Sequence, residues 1–207
     1  MDPVTPFPKG LPYKNDKLES KPHDMTKAAD YFKKALGGKL WDTGFKFDIV
    51  YNTGNTERET GAKILAENVM SLNPKFQVGT RAVEWPVYNE MNKQKQMAVF
   101  FLGWAPDYPD PADYAGPYMS SDGFFASRQS YKNPTADDLV AKAAIELDPA
   151  KRAAEYSQLQ DIWLQDSIAI LAQQPLRRRF MKDWVKGYYY NPMESQEFEL
   201  LPVLTKK

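Results

Sequence analysis

The chain has 207 residues, enough to bury a substantial core, and its 27 Lys and Arg side chains balance 27 Asp and Glu side chains. This zero net charge gives no electrostatic signature of a nucleic-acid or anionic-membrane partner, so we expect neither. The absence of cysteine excludes disulfides, thiol nucleophiles and cysteine-bound metals.

Periodicity predicts an α/β unit in the first half of the chain. Prolines make residues 1–24 an extended lead-in, and helical spacing predicts a helix over 25–36. The elements that follow are strands over 45–51, 76–84 and 97–102, with helices over 55–72 and 86–93 between them. The order β-α-β-α-β implies a parallel sheet, and the continuously apolar last strand should be covered on both faces.

The second half begins with a proline-rich stretch, residues 106–117, which we expect to be extended or turn-like. Helical spacing then predicts helices over 134–147 and 149–165. Short apolar runs predict further strands over 167–172, 176–181 and 185–190.

The junction between the last predicted strand of the α/β unit and the proline-rich loop is a candidate site. The strand runs into Gly103 and Trp104, and Asp107 follows in a loop that prolines stiffen. In open parallel sheets, ligands bind beyond the carboxyl ends of the strands. The residues alone leave two interpretations open: a binding site, or a loop in which Trp and Pro pack against the core.

An ordered set of motifs surrounds this junction and extends over residues 25–195. The set consists of Trp85-x-x-Tyr88, the Gly103-Trp104-x-x-Asp107-Tyr108-x-Asp110-Pro111 box, Asn133, Asp148-x-x-x-Arg152, Asp161, Asp166 and Lys186-Gly187. In this order it resembles the peptide/nickel (family 5) extracellular solute-binding proteins of ABC importers. The resemblance implies an α/β fold: the C-terminal lobe of a two-lobed, class II-like periplasmic binding protein, with a mixed, mainly parallel sheet and helices on both faces.

The same resemblance implies a domain plan and partners. Residues 25–174 would form the C-terminal lobe, and residues 175–207 would be the hinge crossover and a tail that returns to an N-terminal lobe missing from the given chain. A tail without its sheet partners could be swapped between copies, giving a homodimer. The implied function is that of an oligopeptide- or dipeptide-binding component, working outside the cytoplasm with the permease subunits of an ABC transporter and needing no cofactor. A parent protein that binds an oligosaccharide or a nickel chelate stays open, as does a stand-alone lobe that binds proteins.

The resemblance also assigns roles at the cleft. Asp107 would pair with the α-ammonium group of a peptide, Trp104 and Trp85 would line the cleft wall, and Tyr108 would adjoin them. Asp107 could instead cap the loop, and Trp85 could be a core residue. We expect no enzyme, because Asp107 and Asp110 lie in one loop without a carboxylate from another element. We expect no metal site either, because this loop lacks the spacing of a calcium loop and His23 is the chain's single histidine.

Overall fold

The computed structural model describes residues 3–175 and 180–188 and the backbone of residues 205–206. The chain divides into two compact units, which we call unit 1 (Met1–Ser20 with Trp104–Lys207) and unit 2 (Lys21–Gly103). Within the described residues, none of the helices combines the length and the apolar character that a membrane crossing requires. The lobe boundaries expected from the resemblance stay a prediction.

Unit 2 alternates helices with strands. Asn55 begins its longest helix by accepting a hydrogen bond from the Arg58 N–H through its side chain, as an N-cap residue does. Its elements are α1 (Met25–Lys34), a 3-10 turn (Ala35–Gly38), α2 (Lys39–Thr43), β1 (Phe45–Asn52), α3 (Thr56–Leu72), β2 (Phe76–Val83), α4 (Trp85–Lys93) and β3 (Val99–Phe100).

The strands of unit 2 form a parallel sheet in the order β2-β1-β3. β1 pairs with β2 from Phe45 opposite Phe76 and with β3 from Ile49 opposite Val99. Successive residues of β1 point to opposite faces, so two apolar clusters flank the sheet, one involving α3 and the other α4. The first cluster contains Ile49, Tyr51, Ala62, Ala66 and Val78, and the second contains Val50, Val83, Tyr88 and Met97. The α/β fold with a parallel sheet and helices is confirmed.

The third strand is much shorter than the apolar run that predicted it. Only Val99 and Phe100 pair with β1, and the ladder gains one further bond, from the Phe101 N–H to the Val50 carbonyl at 2.9 Å. The prediction of a strand over 97–102 was wrong at both ends. Apolar character there reflects burial, since Met97 belongs to the cluster that also contains Tyr88.

Unit 1 is mainly helical, and polar N-caps fix where two of its helices start. The Asn133 side chain accepts the Thr135 N–H at 3.0 Å, and the Asp148 side chain accepts the Ala150 N–H at 2.8 Å. The elements are α5 (Ala112–Met119), α6 (Phe124–Gln129), α7 (Pro134–Ile145), α8 (Pro149–Asp166), β4 (Val185–Lys186) and β5 (Thr205–Lys206), the last two antiparallel.

The core of unit 1 forms where α5, α7 and α8 meet. Its members combine large aromatic and aliphatic side chains with alanines, a mixture of sizes that can fill an interior at high packing density. They are Phe7, Tyr114, Ala115, Met119, Ala136, Leu139, Ala143, Tyr156, Leu159 and Trp163. The position of Phe7 in this core shows that the chain around Phe7 packs into unit 1.

One buried amide fastens this N-terminal segment to α8. Gln160 is 1% exposed, and its Oε1 accepts the Asn15 N–H at 3.0 Å and the Thr5 hydroxyl at 3.3 Å. Its Nε2 donates to the carbonyls of Tyr13 at 3.1 Å and Tyr156 at 3.0 Å. Both ends of the amide are therefore satisfied, which a buried polar group needs if it is to stabilise the fold.

Other predictions about unit 1 need correction. Residues 112–117 are helical rather than extended, because burial of Tyr114 in the core outweighs the proline signal. Residues 167–172 do not form a strand, since no described residue pairs with them in a ladder: Ser167 ends α8 in the left-handed conformation, and Ile170 is exposed. Of the run 176–181, residues 176–179 lie outside the described part of the chain.

Candidate functional site

The candidate site is the loop between Gly103 and α5, which belongs to unit 1 from Trp104 onward. Asp107 is exposed in this loop. Its backbone N–H donates to the Asp113 carboxylate at 2.8 Å, whereas its own carboxylate accepts no hydrogen bond from the described residues. The backbone of Asp107 is therefore held in place while its carboxylate is exposed, and such a carboxylate can bind a cation.

Asp113 organises the loop from inside. It lies in the first turn of α5 and is 6% exposed. Its Oδ2 accepts both the Asp107 N–H and, at 3.4 Å, the indole N–H of Trp104. Burial raises the pKa of the Asp113 carboxyl, and the hydrogen bonds from Asp107 and Trp104 partly offset that effect. This carboxylate serves the loop and is not available to a ligand.

A second carboxylate ties the loop to α8. Asp110 Oδ2 accepts from Arg152 Nη1 at 3.0 Å, and its Oδ1 accepts from Nη2 at 2.9 Å. Arg152 Nε donates to the Ala143 carbonyl at 2.9 Å, so the guanidinium also holds the end of α7. The hydrogen bonds with Asp110 raise the pKa of Arg152 above its usual value. This bidentate pair fixes the base of the loop.

Trp104 stands partly buried beside the core of unit 1. Its ring centroid lies 5.6 Å from that of Phe124 and 5.8 Å from that of Phe125. Tyr108 is 41% exposed, next to Asp107 in the chain. The structure thus brings Asp107, Trp104 and Tyr108 together in one loop, with the indole anchored and the phenol facing outward.

Trp85 belongs to unit 2, at the first position of α4. It is 47% exposed and stacks on Tyr88 with ring centroids 5.6 Å apart and planes 11° apart. Tyr88 itself is buried and donates its hydroxyl hydrogen to the Phe101 carbonyl at 2.8 Å. Trp85 therefore has a supported, accessible face, while Tyr88 is a core residue.

The residues that shape this loop were only partly visible in the sequence. Asp110 and Arg152 stood in the motif set, but nothing in their spacing predicted that they bind each other across 42 positions. Asp113 follows Asp110 by three residues in the sequence, and an acidic residue so close to others is ordinarily a solvated one. No local pattern could have identified it as the acceptor for the backbone of Asp107.

Comparison with protein families and curated relatives gives concordant matches. The model of bacterial extracellular solute-binding proteins, family 5 (middle part), matches residues 3–126. Di/tripeptide-binding protein 4 of Pseudomonas aeruginosa (strain UCBPP-PA14) is 25% identical over 203 residues, which cover 94% of this chain and 36% of that protein. The periplasmic murein peptide-binding protein MppA of Escherichia coli (strain K12) is 24% identical over 161 residues, 78% of this chain and 29% of that protein.

Solved structures share the fold. Haemophilus influenzae OppA in complex with RPPGFSPFR superposes with a TM-score of 0.74 at 22% identity, over 96% of this chain and 39% of that one. Helicobacter pylori DppA in complex with the peptide STSA superposes with a TM-score of 0.70 at 24% identity, over 81% of this chain and 32% of that one. The chain thus spans about a third of the length of each of these four relatives.

Proposed function

Because the chain belongs to the bacterial extracellular solute-binding proteins of family 5, we propose that it supplies one wall of the ligand cleft in a peptide-binding component of an ABC importer. Curated relatives named as di/tripeptide-binding and murein peptide-binding proteins support a peptide as the solute. The protein would work outside the cytoplasm, pass its solute to permease subunits, and make or break no covalent bond. The homodimer expected through the tail gains no support, since β4 pairs with β5 of the same chain.

The exposed, unpaired carboxylate of Asp107 among the described residues is the main support for peptide binding. Its carboxylate is exposed and accepts no hydrogen bond within the described residues, while Asp113 and the Asp110–Arg152 pair hold the surrounding loop. A prearranged carboxylate binds an ammonium group without first giving up another partner, which keeps the cost of binding low. We propose that Asp107 binds the α-ammonium group of a peptide, with Tyr108 and Trp104 of the same unit contributing contact surface. The cleft-lining role expected for Trp85, which belongs to unit 2, stays a prediction.

The test is a titration of the 207-residue chain with trialanine and with N-acetyl-trialanine, followed by NMR so that weak binding is measurable. Asp107→Asn keeps the shape and removes the charge, and we expect a loss of about 1.5–3 kcal/mol, roughly ten- to hundredfold in affinity for trialanine. N-acetylation should cause a similar loss in the wild type and little further loss in the variant. Asp161→Asn, which removes an exposed charge from α8, is the matched control and should bind as the wild type does.

Each contrary result has a clear meaning. Equal affinity of the wild type and Asp107→Asn for trialanine would show that Asp107 does not bind the ammonium group. Failure of the wild type to bind any peptide, together with binding of an oligosaccharide or a nickel chelate, would replace the peptide as the solute.

A further inference from the structure

Arg58 is a half-buried cation for which the described part of the chain supplies no acidic partner. Its Nη1 donates to the amide oxygen of Asn52 at 2.7 Å, and no described carboxylate lies within ion-pair distance of it. Burial lowers the pKa of Arg58, because desolvation disfavours the charged form. Proteins ordinarily pair a guanidinium that has lost part of its hydration with a carboxylate.

Arg58 lies just beyond the end of β1 in unit 2. It stands in the first turn of α3, and Asn52 is the last residue of β1. β3, which runs parallel to β1, ends at Phe100, and the chain continues from there to Gly103. Arg58 therefore lies at the carboxyl edge of the parallel sheet, the edge at which α/β proteins bind ligands.

The surroundings leave the guanidinium approachable. A Cβ atom at Gly103 would lie 3.4 Å from Arg58 Nη2, so the absence of a side chain at Gly103 keeps that nitrogen open. Tyr88 lies close enough to interact electrostatically with Arg58, but burial raises the pKa of its phenol well above the usual range. Tyr88 is thus neutral and cannot serve as the counter-ion.

The donors that remain fit one chemical group. Nη1 is occupied by Asn52, whereas no hydrogen bond within the described residues uses Nε or Nη2. These two nitrogens point the same way along one edge of the planar guanidinium, and a carboxylate accepts from both at once. We propose that Arg58 binds a carboxylate group of the solute through Nε and Nη2. The proposal rests on the solute-binding function above and selects, among solutes, those that carry an accessible carboxylate.

The test separates this role from that of Asp107 by using a probe without an ammonium group. N-acetylglycine carries a carboxylate, and N-acetylglycinamide is its neutral counterpart. We expect N-acetylglycine to shift the Nε–Hε NMR signal of Arg58 in the wild-type chain and the amide to leave it unmoved. Arg58→Gln should weaken N-acetylglycine binding about tenfold or more.

Two further variants make the result specific. Arg81→Gln removes an exposed arginine from β2 of the same unit and should bind N-acetylglycine as the wild type does. Arg58→Lys keeps the charge but loses the two-pronged geometry, so it should bind with intermediate affinity. An unmoved Arg58 signal in the wild type, or equal binding by Arg58→Gln and wild type, would overturn the proposal.

Peptide arms identify which carboxylate is bound and keep the two proposals separate. Trialanine against its C-terminal amide tests the α-carboxylate, and Ala-Glu-Ala amide against Ala-Gln-Ala amide tests an acidic side chain. Arg58→Gln should abolish the preference for whichever member carries the relevant carboxylate. If trialanine amide binds the wild type and N-acetylglycine does not, the Arg58 assignment is wrong while peptide binding stands. The converse result would reject peptide capture through Asp107 and retain the carboxylate site.

Discussion

Arg152, the fourth residue of α8, and Asp110, in the loop that carries Asp107, form a two-pronged ion pair. The two N–O distances are 3.0 and 2.9 Å, and the side chains are 17% and 32% exposed respectively. Low exposure limits screening by water, so this pair should stabilise the protein more than a surface pair does.

We predict that a double-mutant cycle with Asp110→Ala and Arg152→Ala gives a coupling energy of about 1.5–3 kcal/mol, measured by urea unfolding. Asp138 and Lys142 provide the control, since they form an exposed pair one helical turn apart on α7, with side chains 58% and 60% exposed. Their cycle should give only about 0.3–0.5 kcal/mol. Equal coupling energies for the two pairs would contradict the role of the Asp110–Arg152 pair as an anchor.

The sequence predicted the parallel α/β unit well because its information is local. In α3 and β1, the spacing of apolar residues specifies both the element and its buried face, and both elements appear within a residue or two of their predicted bounds. α5 was missed for a related reason. Gly116 and Pro117 oppose a helix locally, yet burial of Tyr114 and Met119 in the core of unit 1 overrides them.

The loop at Asp107 shows what local patterns cannot supply. The resemblance identified the exposed carboxylate, whereas the acceptor for its backbone N–H, Asp113, depends on how α5 folds back on the loop. The anchoring of Trp104 likewise depends on Phe124 and Phe125, about twenty positions away. Arg58 was overlooked because its significance lies in a missing partner, and a sequence does not show which charges remain unpaired.

The buried amide of Gln160 should determine whether the N-terminal segment stays on unit 1. Gln160→Leu keeps the size but leaves the Asn15 N–H and the Tyr13 carbonyl without their present partner. We predict a loss of about 2 kcal/mol or more in unfolding free energy and faster amide hydrogen exchange at Asn15. Gln158→Leu, at an exposed position of α8, should change stability by no more than about 0.5 kcal/mol. Unchanged exchange at Asn15 in Gln160→Leu would show that other contacts hold the segment.

The raised pKa of Asp113 predicts the direction in which the stability of the protein changes with pH. The pKa of the Asp113 carboxyl is higher in the folded protein than the 3.8 of the unfolded chain, because burial disfavours the charged carboxylate. Protonation of Asp113 therefore favours folding. This contribution to the free energy of unfolding is complete below pH 3.8 and is lost as the pH rises through the folded-state pKa. We predict that the stability of wild type relative to Asp113→Asn falls across that window in urea unfolding between about pH 3.5 and pH 6. A relative stability that rises with pH would contradict the sign of this shift.

Two glycines near α5 should respond oppositely to alanine. A Cβ at Gly123 would collide with the carbonyl oxygen of Gly116 and lie 2.7 Å from that of Pro117 and 2.9 Å from that of Ser120. Backbone atoms cannot move aside as a flexible side chain can, so we predict that Gly123→Ala costs about 1–3 kcal/mol. A Cβ at Gly116, within α5, would meet no atom within 4 Å, and Gly116→Ala should stabilise the helix by about 0.5–1 kcal/mol. Thermal unfolding of both variants decides the matter, and destabilisation of equal size in both would mean that α5 does not pack against Gly123 as described.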